Sequence, residues 1–128
     1  MRRNDEPSKR VVLAEGYAVP VDEKQFENII STSAKPVLVD FWADWCAPCH
    51  AITPHLNKVL GDMDGSIRLA KVEVDEGENM KLAGRYRLRG FPTIMLFRAG
   101  EELGRFSGAR ASHWIEDWIE QHLAPERI

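Results

Sequence analysis

Five residues, Val37-Leu38-Val39-Asp40-Phe41, constrain this chain's fold more tightly than any other stretch. A short apolar run without polar alternation has no face to show water, so as a strand it must be covered on both sides. Sheets covered on both faces belong to α/β architectures, with helices packed above and below. The chain has 128 residues, enough for one such domain and too few for two.

The neighbouring segments fit that architecture. Ala18-Val19-Pro20-Val21 reads as a short edge strand, because proline is tolerated only at edges or strand ends. Asp22 is placed to cap a helix whose Phe26, Ile29 and Ile30 recur at helical spacing. After the buried strand, a loop through Ala43-Asp44-Trp45 opens a helix near Cys46. Ile52, Leu56, Val59 and Leu60 form its apolar stripe, Pro54 is expected to kink it, and Gly61 is expected to end it. Ile67 to Val74 is the next strand and Met80 to Tyr86 a short helix. Thr93 to Phe97 and Leu103 to Ser107 form a hairpin around Gly100, and Gly108 breaks the second strand. Ser112 is expected to cap a last helix, with Trp114, Ile115, Trp118, Ile119 and Leu123 on one face. The order βαβαβαββα means a mixed sheet with helices on both sides.

Charge and composition exclude several roles. The net charge is −3 and charged residues make up 29%, which points to neither nucleic acid nor an anionic membrane as the main partner. No apolar stretch is long enough to span a bilayer. Met1-Arg2-Arg3 is basic, but the polar residues that follow provide no signal-peptide core, so a cytoplasmic protein is expected. Residues 1–17 read as an N-terminal extension, partly disordered, ahead of a domain over 18–128.

The chemistry centres on Trp45-Cys46-Ala47-Pro48-Cys49, which holds both cysteines of the chain. A Cys-x-x-Cys pair serves as half a zinc site, a static disulfide or a redox dithiol. Structural zinc needs four ligands, and beyond the pair only His50, His55, His113 and His122 are candidates, so no metal is expected. A static bridge closing so short a loop would stabilise little. The redox reading is preferred. A buried strand delivers the chain to a helix that opens at Cys46, where partial positive charge and free N–H groups lower a thiol's pKa. Pro48 suits the first helical turn, where its missing N–H costs nothing. Cys49 lies one turn on, placed to resolve a mixed disulfide formed by Cys46.

Asp40 is the second anomaly. A carboxyl inside an apolar strand is desolvated, and desolvation raises its pKa toward neutrality. Lys71, inside the following strand, is a possible neighbour. Asp40 either pairs structurally with Lys71 or faces a solvated edge, or it moves protons to and from Cys49; its place six residues before a redox cysteine favours proton transfer.

The segment Asp40-Phe41-Trp42-Ala43-Asp44-Trp45-Cys46-Ala47-Pro48-Cys49 resembles the active-site segment of the thioredoxin family. The resemblance continues through Ala70-Lys71-Val72, Arg89-Gly90-Phe91-Pro92-Thr93 and Gly108, and covers about residues 18 to 124. It implies a thioredoxin fold, with a mixed, mainly parallel sheet of about five strands flanked by four helices. It implies Cys46 as attacking thiol, Cys49 as resolving thiol and Asp40 as buried acid/base beside Lys71. It also implies a cis peptide bond before Pro92 and a docking face of Trp45, Gly90, Phe91, Pro92 and Gly108. No cofactor beyond the Cys46–Cys49 pair is implied. The implied partners are protein disulfides and a thioredoxin-reductase-like electron donor, acting on a monomer.

The sequence departs from the family's usual pattern at Ala47, where glycine is common, at His50, where Lys or Arg is frequent, and in its N-terminal extension. Three roles stay open on these grounds: a general protein-disulfide reductase, a binding or chaperone module with secondary redox activity, and a more oxidising disulfide donor. One expectation concerns the extension alone. Deleting residues 1–10, a polar stretch without periodicity, should change stability by no more than about 0.5 kcal/mol and leave activity unchanged. A loss well above about 1 kcal/mol in denaturant unfolding would show that the segment docks on the domain.

Overall fold

The computed structural model describes residues 18–75 and 77–124. The expected extension over 1–17 and the last four residues of the chain lie outside them. The elements are β1 (Ala18–Pro20), α1 (Glu23–Thr32), β2 (Val37–Trp42), α2 (Ala47–Asp62), β3 (Arg68–Glu73), α3 (Met80–Arg85), β4 (Thr93–Arg98), β5 (Glu101–Ser107) and α4 (Ser112–Leu123), with a 3-10 turn, Gly77–Asn79, before α3.

The five strands form one sheet in the order β1-β3-β2-β4-β5. The apolar run is the central strand β2, paired with β3 on one side and β4 on the other. β1 and β2 both run parallel to β3, whereas β4 is antiparallel to both β2 and β5. The sheet is mixed as expected: four of its five strands run in the same sense and β4 is reversed between β2 and β5. The short α3 connection returns the chain in the opposite sense, an outcome that strand and helix patterns alone do not distinguish.

Side chains alternate across β2 and divide the core in two. Val37, Val39 and Phe41 pack with Phe26, Ile29 and Ile30 of α1 and Leu82 of α3. Leu38 packs on the other face with Ile52, Leu56, Val59 and Leu60 of α2 and Ile115, Trp118 and Ile119 of α4. Phe26 is fully buried, with ring contacts to Phe41, Tyr86 and Phe97 at 5.5–5.8 Å. The α4 stripe closes the opposite layer, where Phe106 sits edge-on to Trp114 and Trp118.

The helix ends mix expected and unexpected chemistry. Asp22 caps α1 in a reciprocal box, accepting from the Gln25 N–H at 2.8 Å while the Asp22 N–H donates to Gln25 Oε1 at 2.9 Å. Gly61 does not end α2; the helix continues to Asp62 with Met63 as its C-cap, and the left-handed residues are Asp64 and Gly65. Ser112 is the first residue of α4 and not its cap, a position held by Ala111 without a side-chain bond. α2 is continuous through Pro54. The hairpin turn uses Ala99 and Gly100, both at positive φ (53° and 83°), the geometry a two-residue turn with right-handed strand twist requires.

Phe26 ties α1 to the sheet from a site with no exposure. Phe26→Ala should therefore cost about 3–5 kcal/mol in denaturant unfolding. A loss under about 1 kcal/mol would mean that the α1 layer contributes little to the folded state.

Candidate active site

β2 leads directly from the core to the site. It leaves the sheet at Trp42, crosses Ala43, Asp44 and Trp45, and enters α2 with Cys46 as the N-cap. The Cys46 backbone is extended (φ −99°, ψ 109°), so its side chain folds back over the first turn. Cys46 Sγ accepts a hydrogen bond from the Cys49 N–H at 3.2 Å. A sulfur thus occupies the place that serine or aspartate usually takes, facing the helix's positive end. Ala47 and Pro48 begin the helix, and Pro48 withholds no N–H that the helix could use there.

Cys46 and Cys49 form a disulfide, with Cα atoms 5.3 Å apart. Both cysteines are buried, at 5% and 2% exposure, so Cys49 is shielded more than Cys46 by only a narrow margin. Among the described residues no group of three or more His, Cys, Asp or Glu side chains could hold a metal ion. His50 is exposed, and a ring nitrogen lies 2.7 Å from the Asp44 carbonyl oxygen.

Trp45 stands out at 70% exposure. Its indole N–H donates to Asp75 Oδ2 at 3.0 Å, and its ring meets Phe91 edge-on at 6.0 Å. Phe91, half-buried, packs against the core cluster that includes both cysteines. The Phe91–Pro92 peptide is cis, as the resemblance implies. Pro92 is buried, and its carbonyl accepts from the Gly108 N–H at 2.9 Å. Gly108 has φ 89°, a conformation that favours glycine. Trp45, Phe91, Pro92 and Gly108 are thereby joined by direct contacts, with Gly90 next in sequence. Asp75 was not anticipated. It follows the C-terminal end of β3, beside the end of β2 that leads to Trp45, and that shared sheet end was the signal available.

Asp40 has no exposed surface. It shares a face of β2 with Leu38, the face α2 covers, and pairs in register with Lys71 and Ile94. Lys71 Nζ lies 4.0 Å from Asp40 Oδ2 and 5.0 Å above the Trp42 ring. Neither Asp40 oxygen accepts a hydrogen bond among the described residues. Burial pushes the Asp40 carboxyl up to about 7, and the Lys71 charge offsets only part of that rise. The expected Asp40–Lys71 proximity is present, and Asp40 is not at a solvated edge.

An oxidised Cys-x-x-Cys capping a helix at the end of a doubly covered strand, on this sheet, defines a thiol-disulfide oxidoreductase. The thioredoxin family profile matches residues 17–121. Among similar proteins, a thioredoxin of Rickettsia bellii is 35% identical over 80% of this chain and 96% of its own length. A thioredoxin of Thiocapsa roseopersicina is 46% identical over 65% of this chain and 89% of its own. The chloroplastic M-type thioredoxin of Chlamydomonas reinhardtii is 35% identical over 90% of this chain and 81% of its own. A mutant thioredoxin from Halobacterium salinarum superposes with a TM-score of 0.76 at 29% identity, covering 91% of this chain and all of that one. The chain belongs to the thioredoxin family and is a protein-disulfide oxidoreductase.

Asp40 generates a pH test of stability. In the unfolded chain the carboxyl titrates near 3.8, in the folded chain near 7. Between those values the folded state binds more protons, so Asp40 lowers stability as pH rises through the window. The cost levels off above about pH 7 at up to roughly 4 kcal/mol. Asp40→Asn should unfold at higher denaturant than wild type at about pH 8, with the gap closing toward about pH 4. A gap independent of pH would contradict the raised carboxyl.

Proposed function

We propose that this protein is a general reductant of protein disulfides. The observation that carries the reading is the sulfur cap: Cys46 Sγ takes the helix N-terminal N–H of Cys49 and faces the helix's positive end. In the reduced protein that environment favours the Cys46 thiolate near neutral pH. The thiolate attacks one sulfur of a substrate disulfide, forming a mixed disulfide and releasing the other substrate sulfur as a thiolate that takes up a proton. Cys49, losing its proton, attacks Cys46, releases the second substrate thiol and closes the disulfide seen here. Two electrons pass to the substrate.

Asp40 is assigned the proton of Cys49. A carboxyl with a pKa of about 7 is half-ionised near neutrality, the condition under which one group both accepts and returns a proton. Lys71 supports it by limiting how far burial raises that value. Trp45, Gly90, Phe91, Pro92 and Gly108 are assigned the docking face, supported by the exposed Trp45 ring beside Phe91. An extended substrate segment would pair with the Phe91 backbone there. The electron donor is a thioredoxin-reductase-like enzyme. The protein acts as a cytoplasmic monomer, its domain spanning residues 18–128. Among the described residues no helix is long and apolar enough to cross a membrane.

Insulin reduction driven by a small dithiol, followed by turbidity, tests the reading. Wild type should accelerate precipitation, and Cys46→Ser should abolish the effect. Cys49→Ser should accumulate mixed disulfides visible by mass. Limited iodoacetamide should alkylate Cys46 of the reduced protein before Cys49, and faster labelling of Cys49 would reverse the two roles. Asp40→Asn should turn over more slowly between about pH 6 and pH 8; identical profiles would leave Asp40 as a structural group.

A further inference from the structure

A cleft of about 320 Å³ lies beside the docking loop, lined by Tyr86, Arg87, Arg89, Thr93, Arg105 and Ser107. It shares its chain segments with the docking face. Arg89 precedes Gly90, Thr93 follows Pro92, and Ser107 precedes Gly108. Three arginines line it, on a chain whose net charge is −3.

The three arginines are not equivalent. Arg105 is committed internally: its Nε and Nη2 hold both oxygens of Glu102 at 2.7 and 2.9 Å, and its Nη1 donates to the Tyr86 carbonyl at 2.6 Å. Arg87 and Arg89 are exposed and have no carboxylate partner among the described residues. The position of Arg87 is unusual in a second way. The helix α3 ends in a full Schellman motif, with the Arg87 N–H donating to the Gly84 carbonyl and the Leu88 N–H to the Ala83 carbonyl. The residue at the left-handed position of that motif is ordinarily glycine, and here it is Arg87 at φ 55°. A residue held in an unfavourable backbone region at the rim of a site points to function.

We propose that Arg87 and Arg89 form a specificity subsite for an acidic side chain of the substrate protein, close in sequence to the cysteine under attack. The proposal rests on the docking role assigned above. A substrate strand paired at Phe91 advances about 3.3 Å per residue, which brings its next side chains over Arg89 and the cleft. Exposed arginines then favour a carboxylate there, and the preference weakens as salt screens it.

The test uses the full chain and three disulfide peptides that differ only in an Asp-Glu, Gln-Gln or Lys-Lys flank beside the attacked cysteine. Wild type should reduce the acidic peptide with kcat/KM about fivefold above the neutral one at low ionic strength, the upper range for an exposed ion pair. The lysine peptide should be poorest, and high salt should level all three. R87Q/R89Q should abolish the ranking while leaving the neutral peptide's kcat/KM unchanged. Arg87→Gly should raise the melting temperature, because glycine suits φ 55°, and should still lose part of the preference. That combination separates recognition from a structural role. Equal rates for the acidic and neutral peptides with wild type, or a ranking that persists in R87Q/R89Q, would overturn the subsite. Inorganic phosphate that shifts the Arg87 and Arg89 NMR signals without any peptide ranking would also overturn it, in favour of a small-anion pocket. Failure to reduce the neutral peptide at all would count against the reductase reading instead.

Discussion

The hydrogen bond from the Cys49 N–H to Cys46 Sγ is the interaction around which this molecule is organised. A sulfur caps a helix only if the chain enters that helix from an extended residue, with the first turn free to receive it. The loop from Trp42 to Cys46 supplies that entry, and it can do so because β2 is anchored on both edges and both faces. The strand fixes where the loop begins, α2 fixes where it ends, and α2 is held by Ile52, Leu56, Val59 and Leu60 against the same strand. Pro48 adds direction without removing a hydrogen bond the helix needs.

Asp40 opposes the stability of this arrangement. A fully buried carboxyl whose oxygens accept no hydrogen bond among the described residues weakens the fold increasingly as pH rises from about 4 to about 7. Lys71 is near enough to attract it, at 4.0 Å, but is not hydrogen-bonded to it, and its own charge rests over Trp42. Burial raises the carboxyl to about 7, and the Lys71 charge offsets part of that rise. A local rule of core composition is broken at one residue, and the function assigned to that residue requires the break.

Much of this was legible from particular residues. The unalternating run at 37–41 has the signature of a doubly covered strand, and the Asp22 box and the stripes of α2 and α4 follow from side-chain chemistry acting over three or four positions. Cys46 at a helix start was legible for the same reason. What was not legible depended on contacts distant in sequence. Gly61 has the composition of a helix end, but the helix continues to Asp62 and stops at Met63. Ser112 could cap α4, but the backbone turns one residue earlier. The antiparallel sense of β4 is set by how the chain leaves α3. Asp75 reaches Trp45 across 30 positions. Arg87 sits where local rules ask for glycine, so only the backbone angle exposes it.

The central claim is that the helix N-terminus holds Cys46 as a thiolate in the reduced protein. Titrating thiolate absorbance in reduced Cys49→Ser isolates that one group. The account predicts a midpoint for Cys46 well below the free-cysteine value of about 8.5. Urea unfolding should return it to the free value, since the helix supplies the shift. A folded-state midpoint at or above about 8.5 would contradict the account, because the sulfur cap would then confer no nucleophile at neutral pH.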